Sequence, residues 1–137
     1  MGLKFDEIKL GDECSITKTF VRNDVLVFSK VSMDKNPIHI DEEAGKSSIF
    51  GACVVHGALV NSLFSAVLGM KYPGEGAIYL SQNSSFRKPV FIGDTVTAVV
   101  KVIELMPEKK FVKFETIAYN QKNEKVIIGD ALVKPLS

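Results

Sequence analysis

The segment from His56 to Gly69 constrains the fold most, because it is apolar on most sides. A helix of this kind has to be wrapped by other elements, since it has no broad polar face to present to water. The surrounding stretch from Ala52 to Met70 is near membrane-spanning length, but it carries His56, Asn61 and two serines. We therefore expect a buried central helix and no membrane partner.

A strand pattern dominates the chain after this helix. Stretches rich in Val, Ile, Thr and Phe are separated by turn formers such as Pro89, Gly93 and Pro107. A shorter stretch of the same kind precedes the helix. The predicted strands are Cys14–Val21, Ala77–Phe86, Thr95–Leu105, Phe111–Asn120 and Lys125–Val133. One strand, then helices, then a run of strands predict an α+β fold in which an antiparallel sheet curls around the long helix.

Two shorter helices are expected between the first strand and the central helix. Asn23 or Asp24 can cap the first of them. The second starts at Asp41, with acidic residues where the helix dipole favours them. Turn formers dominate residues 32–41, and Pro37 keeps the preceding residue out of the helical region. This segment is therefore predicted to be a bent loop.

Length and composition limit the class of protein. The chain has 137 residues, which is enough for one domain over residues 1–137 and too few for two ordinary ones. Apolar residues make up 46% and charged residues 24%, as is typical of a globular chain. The 17 basic residues face 16 acidic ones without a dense basic run, so nucleic acid is not expected as a partner.

The cysteines and the first ten residues bear on location. Cys14 and Cys53 lack the spacing of a metal site and are too few for a disulfide framework, which fits a reducing compartment. Residues 1–10 mix charged with apolar side chains and do not form the uninterrupted apolar stretch of a secretion signal. We therefore expect a cytoplasmic protein.

Asp34 and His39 are the strongest candidates for acid–base chemistry. Their spacing puts them on different faces of a regular helix or strand, so only the bend at Pro37 can bring them together. A carboxylate and an imidazole beside one water could remove a proton from it and return one to a neighbouring carbon. The structural alternative is that Asp34 caps a turn and His39 hydrogen-bonds to backbone. A metal site that adds Asp41 would have too few ligands.

Gly57 opens the central helix, where backbone N–H groups lack partners and the helix dipole is positive. Donors there could stabilise the negative charge on a thioester carbonyl whose α-carbon becomes enolate-like. Alternatively, Gly57 only relieves packing between helix and sheet. The neighbouring His56 lies among Val54, Val55 and Ala58, which favours a structural histidine over a catalytic one.

Three further polar side chains are weaker candidates. Ser65, two turns into the helix, could donate a hydrogen bond to a substrate, although serines more often bond back to their own helix. Arg87 and Lys88 precede Pro89 at a strand end and could meet phosphate groups, although charges at strand ends are common.

The block Asp-Lys-Asn-Pro-Ile-His occupies residues 34–39, and His56-Gly57 follows it downstream. Blocks in this order are hard to obtain by chance. Further matching positions are Phe50-Gly51, Leu59, Ser62-Leu63, Leu68-Gly69, Pro73-Gly74-Glu75-Gly76, Ile78-Tyr79-Leu80, Phe86, Pro89-Val90 and Gly93-Asp94. Together these motifs, which run over most of the chain, resemble the MaoC-like, (R)-specific enoyl-CoA hydratase family.

The resemblance implies a hot-dog fold and the reversible hydration of trans-2-enoyl thioesters to (R)-3-hydroxyacyl thioesters. It assigns the binding and activation of water to Asp34 and His39, the thioester oxygen to the amide of Gly57, and a place near the acyl group to Ser65. It implies a homodimer, or a higher homo-oligomer, with the acyl tunnel beside the interface. Coenzyme A or acyl carrier protein would carry the substrate, and no metal or redox cofactor is implied.

The resemblance also bears on substrate size. Bulk at Ser65, Leu68 and Val133 would limit the acyl chain, so short substrates such as crotonyl-CoA are expected. Arg87 and Lys88 would face the phosphates of coenzyme A. Hot-dog folds also host thioesterases, which the fold alone does not separate from hydratases. A module that binds acyl thioesters without chemistry is the alternative from another class.

Overall fold

The structure, a computed structural model, describes residues 1–137. Its strands are β1 (Glu13–Thr19), β2 (Ile78–Phe86), β3 (Thr95–Met106), β4 (Phe111–Tyr119) and β5 (Lys125–Lys134). Its helices are α1 (Arg22–Ser32), α2 (Pro37–Ile40), α3 (Glu42–Ser47) and α4 (Gly57–Met70), and one 3-10 turn spans Phe5–Glu7. Each predicted strand is confirmed to within two residues at either end. No helix is long and apolar enough to cross a bilayer.

The five strands form one antiparallel sheet in the order β1-β3-β4-β5-β2. The edge strands are therefore β1 and β2. Strand β2 follows α4 in the chain and pairs on one side only, with β5. The backbone groups on its other side have no strand partner, which leaves an edge open to pairing with another strand.

Helix α4 lies on the inner face of this sheet. Its buried residues recur at spacings of three and four, and they are Val60, Leu63, Phe64, Val67 and Leu68. They pack against alternate residues of β3, β4 and β5, which point inward from the sheet. The arrangement is the curled antiparallel sheet around a long helix that was predicted, which is the hot-dog fold.

The opposite side of α4 differs from the prediction. The apolar composition of the helix predicted that other elements wrap it on most sides, but Ala58, Ser62 and Ser65 are exposed. Only one face of the helix meets the sheet of its own chain. The residues on the other face are small, so a second surface could approach the helix closely there.

The segment before α4 is more helical than predicted. Residues 32–41 were expected to form a bent loop, but Pro37 starts the one-turn helix α2, where its missing N–H costs nothing. Asn36 caps this turn, and its Oδ1 accepts a hydrogen bond from the amide of Ile38 at 3.4 Å. The bend itself is confirmed, because Met33 adopts a left-handed conformation with φ 68° after α1.

Of the two helix starts predicted on either side of this bend, one differs from the structure and one agrees with it. Asp24 was a candidate N-cap of α1, but it is the third residue of the helix, and its carboxylate accepts the amide of Val21 at 2.9 Å. The predicted start of α3 at Asp41 is confirmed. There Asp41 Oδ1 accepts the amide of Glu43 at 3.1 Å. Asp41 is not among the residues whose ligand atoms lie close to those of Asp34 and His39.

Candidate active site

His39 lies on α2 with its ring held in one orientation. The residue is 8% exposed, and Nδ1 lies 2.7 Å from the carbonyl oxygen of Val54. A carbonyl can only accept, so Nδ1 carries the hydrogen, and in the neutral ring Nε2 has a lone pair. The hydrogen bond to the backbone that was the structural alternative for His39 is therefore present. It leaves the other ring nitrogen available to take up a proton.

Asp34 lies at the bend between α1 and α2, and it is exposed. Its Oδ1 accepts the amide of Asn36 at 3.2 Å, and its own amide donates to Ser32 Oγ at 3.1 Å. The turn-capping role that was the structural alternative is thus also present. The second carboxylate oxygen remains free for a ligand, because a carboxylate offers about four acceptor sites.

The structure brings Asp34 and His39 together. A carboxylate oxygen of Asp34, a ring nitrogen of His39 and a ring nitrogen of His56 all lie within 4.8 Å of one another. One water molecule could therefore contact both the carboxylate and the imidazole. The bend at Pro37 produces this convergence, as the sequence predicted.

His56 contacts both His39 and Asp34 and holds them in position. It is 1% exposed, its ring stacks on His39 with centroids 3.9 Å apart, and Phe28 packs edge-on against its other side. Its Nε2 lies 2.9 Å from the carbonyl oxygen of Asp34 and 3.1 Å from Ser29 Oγ. Since the carbonyl can only accept, Nε2 carries the hydrogen and donates. The structural role predicted for His56 therefore consists of holding the bend that carries Asp34.

A cavity of about 570 Å³ opens beside His39. Apolar side chains dominate its lining, and among the residues that line it are Ile38, Val54, Val55, Val60, Phe86 and Ile127. An apolar cleft with a few polar groups is the usual form of a small-molecule site. The imidazole of His39 and the backbone of Gly57 supply polar groups to this one.

Gly57 lies in the wall of the cavity as the first residue of α4. The residue before it, His56, makes no side-chain cap, so the first amides of the helix keep their capacity to donate to a ligand. A Cβ on Gly57 would lie 2.8 Å from the ring of Phe86. The packing alternative is therefore also real, because the glycine makes room for this ring.

Arg87 and Lys88 line the same cavity on the side where β2 ends. Lys88 Nζ lies 2.7 Å from Glu124 Oε2, and this hydrogen bond lowers the pKa of the Glu124 carboxyl. The other ion pair in the chain joins Lys18 to Asp24, so the guanidinium of Arg87 has no carboxylate partner. Of the two candidate phosphate contacts, Arg87 has its charge available for a ligand.

The remaining predicted site residues, Asp34, Ser65, Leu68 and Val133, do not line this cavity. Asp34 lies beside it, next to His39. Ser65 is exposed on α4, two turns from Gly57. Leu68 and Val133 are 2% and 0% exposed and belong to the core between helix and sheet. Their roles in limiting the acyl chain stay predictions.

Two aromatic residues of the cavity were missed as site residues by the sequence analysis. Phe50 lines the cavity from the loop after α3, and Phe86 lines it from the end of β2 with 58% of its surface exposed. The exposure of these rings depends on the packed fold and cannot be seen in a sequence.

Comparison with known proteins identifies the family of the chain. A family model for the MaoC like domain matches residues 6–125. A curated (R)-specific enoyl-CoA hydratase of Rhodospirillum rubrum is 45% identical over 129 residues, which cover 94% of this chain and 89% of that protein. A 3-hydroxybutyryl-CoA dehydratase of Methylorubrum extorquens is 39% identical, with 96% of this chain and 83% of that protein covered.

Solved structures agree as well. The (R)-hydratase of Aeromonas caviae, described as involved in PHA biosynthesis, superposes with a TM-score of 0.91 at 38% identity. The match covers 93% of this chain and 97% of that one. Fold, sequence and the order of the motifs therefore lead to the same conclusion, and the chain belongs to the MaoC-like domain family.

Proposed function

We propose that the protein is an (R)-specific enoyl-CoA hydratase, a hydro-lyase that adds water reversibly to trans-2-enoyl thioesters. The observation that carries the proposal is the convergence of Asp34 and His39 within 4.8 Å, with His39 in the wall of a cavity that Gly57 also lines. Relatives at 39–45% identity are named as enoyl-CoA hydratases or as a 3-hydroxybutyryl-CoA dehydratase. These two names describe opposite directions of one reaction.

The acid–base pair accounts for the proton balance of the reaction. A water between Asp34 and His39 loses one proton to the pair as its oxygen bonds to the β-carbon. The α-carbon takes up one proton from the same pair, so the pair is restored at the end of the cycle. The hydrogen bond from His39 Nδ1 to Val54 fixes the tautomer in which Nε2 can accept the first proton.

The start of α4 accounts for the charge that develops on the substrate. As the β-carbon is attacked, electron density moves to the thioester oxygen, which becomes enolate-like. The amide of Gly57 and the positive end of the α4 dipole can stabilise this oxygen. A donor of this kind typically contributes about 2.7 to 4 kcal/mol to the transition state.

No metal or redox cofactor enters this scheme, because side chains and backbone amides supply both proton transfer and charge stabilisation. Cys14 and Cys53 are free thiols, which suits a reducing cytoplasm. We expect turnover to survive prolonged incubation with EDTA followed by dialysis. Loss of turnover on chelation that added metal restores would contradict this part of the proposal.

The proposed carrier is coenzyme A or acyl carrier protein, with Arg87 meeting phosphate at the mouth of the cavity. The proposed assembly is a homodimer. Edge strand β2 carries the apolar side chains of Ile78 and Leu80, which are 55% and 41% exposed. Pairing two copies of β2 would cover these apolar side chains and satisfy the open edge.

The test is to mix purified protein with crotonyl-CoA. Hydration removes the conjugated double bond, so we expect the ultraviolet absorbance of the enoyl thioester to fall, and chiral analysis to show (R)-3-hydroxybutyryl-CoA. Release of free thiol without loss of the double bond would identify a thioesterase instead. Saturable binding of crotonyl-CoA without either change would identify a binding module.

A further inference from the structure

A cluster of polar side chains lies near the cavity, although none of its members lines it. It joins Asn61 of α4, Gln82 and Ser84 of β2, and Thr116 of β4. Ser84 Oγ donates to Asn61 Oδ1 at 2.7 Å, and Gln82 Nε2 donates to Ser84 Oγ and to Thr116 Oγ1, both at 2.9 Å. Thr116 is 0% exposed. The other three members are half-buried, so the network lies at the margin of the core, where its polar groups keep some access to water.

The walls of the cavity lead directly to this cluster. Phe86 lines the cavity, and Ser84 precedes it by two residues, so both point to the same face of β2. On β5, Ile127 lines the cavity, and the next inward position is Gly129, which pairs with Ser84 on one side and Thr116 on the other. The cluster therefore lies one row, about 7 Å, further along the sheet.

Helix α4 also connects the cavity to the polar cluster. Gly57 lies in the cavity wall, and Asn61 follows it by four residues, one turn further along the same face of α4. An acyl chain attached to a thioester carbonyl at Gly57, and directed away from the mouth at Arg87, would run along this face. Its end would meet Asn61 and Ser84.

The cluster has a hydrogen-bonding group to offer. Within it, Asn61 only accepts, so its amide nitrogen is left without a partner in the chain. The orientation of the Gln82 side chain is fixed by a further hydrogen bond, which the hydroxyl of Tyr79 donates to Gln82 Oε1. Burial raises the pKa of Tyr79 to about 12, so this phenol stays protonated and keeps donating across the working pH range. The orientation of Gln82, and through it that of Ser84, is thus held.

We propose that the Asn61–Ser84 pair forms the far wall of the acyl site and selects acyl groups that are short or that end in a hydrogen-bonding group. An apolar chain that passes the row of Phe86 and Ile127 would bury methylenes against polar groups that lose their access to water. A terminal hydroxyl could instead accept from the Asn61 amide. This inference rests on the proposed function, and it deepens it by naming the substrate class.

Along the path of the acyl chain, the Asn61–Ser84 pair comes before Leu68 and Val133, the core residues that were expected to limit chain length. Val133 pairs in register with Val112 and Tyr79, well past the row of Ser84 and Thr116. A chain that entered along α4 would reach Ser84 before it reached Val133. The polar pair, and not the apolar bulk behind it, therefore sets the first limit.

The test compares crotonyl-CoA, octenoyl-CoA and a hexenoyl-CoA with a terminal hydroxyl, using kcat/KM for hydration. The variant Asn61→Leu with Ser84→Ala replaces both partners by apolar groups of similar size, so it removes polarity without opening much room. We expect the ratio of octenoyl to crotonyl turnover to rise by about tenfold or more in this variant. The preference of the wild type for the hydroxyl-ended hexenoyl-CoA over octenoyl-CoA should disappear.

Ser85→Ala is the matched control, because Ser85 is exposed and points to the opposite face of β2. It should leave all three substrates unchanged. An unchanged octenoyl to crotonyl ratio in the double variant, with crotonyl-CoA still hydrated, would overturn the inference and leave the proposed function standing. A wild-type protein that hydrates none of the three substrates would overturn both.

Discussion

The rings of His39 and His56 stack with their centroids 3.9 Å apart and their planes at 27°. The ring of His39 lines the cavity, and the ring of His56 donates a hydrogen bond to the backbone carbonyl oxygen of Asp34 at 2.9 Å. One buried histidine therefore holds both members of the acid–base pair. His56 is a positioning residue in this arrangement, since it does not line the cavity itself.

His56→Phe separates positioning from packing. Phenylalanine keeps a ring over His39 but removes the donor to the carbonyl of Asp34. We expect kcat for crotonyl-CoA hydration to fall by about 10- to 100-fold with little change in KM, because the carboxylate loses its fixed position. The unpaired carbonyl should also lower the free energy of unfolding by about 1–3 kcal/mol. Ser29→Ala is the control, since it leaves the bond to Asp34 intact. A normal kcat in His56→Phe would show that His56 serves stability alone.

Gly57→Ala tests the entrance of α4. The new Cβ would lie 2.8 Å from the ring of Phe86, so the ring must shift within the cavity wall. We expect kcat/KM to fall by roughly tenfold or more. Gly69→Ala on the same helix is the matched control, because nothing lies within 4 Å of a Cβ there. Adding Phe86→Leu to Gly57→Ala should restore much of the rate, and failure to do so would mean that the loss is not steric.

Arg87→Ala tests the contact with the carrier. If Arg87 meets a phosphate of coenzyme A, its loss should raise KM for crotonyl-CoA by roughly two- to fivefold, the effect of a solvent-exposed ion pair. The same variant should have no effect with crotonyl-pantetheine, which lacks the nucleotide phosphates. Lys109→Ala, in the exposed turn between β3 and β4, is the charge-matched control. An equal rise in KM for both substrates would place Arg87 elsewhere in the reaction.

Leu80→Asp tests the open edge of the sheet. Leu80 is 41% exposed on β2, and a carboxylate there would be costly to bury between two copies of the strand. The wild type should sediment at twice the 15.0 kDa mass of the chain, and the variant should shift towards the monomer. A wild-type protein that sediments as a monomer at micromolar concentration would contradict the proposed assembly.

The strands and the central helix could be predicted because their signals are local. Alternating apolar residues mark β3 and β4, and turn formers separate them. The one-turn helix α2 was missed, since four residues carry no periodicity and the Asn36-Pro37 pair indicates a turn. The exposure of one side of α4 was also not predicted, because the small residues on that side have the composition of a buried helix.

The acid–base pair could be predicted from the motif, but its supports could not. The contact between His56 and Asp34 joins residues from two separate segments, and no short pattern records it. The same holds for the polar cluster, whose members lie on α4, β2 and β4. Contacts of this kind depend on strand register, which the chain specifies only through the packed fold.

Turnover of crotonyl-CoA by Asp34→Asn and His39→Gln tests the central claim most directly. Each change keeps the size of the side chain and removes its acid–base function. The circular dichroism spectrum and the Tm should stay close to those of the wild type. We expect each variant to lose about 10²- to 10⁴-fold in kcat, the usual contribution of a positioned acid or base. Folded variants that both hydrate crotonyl-CoA at the wild-type rate would contradict the account.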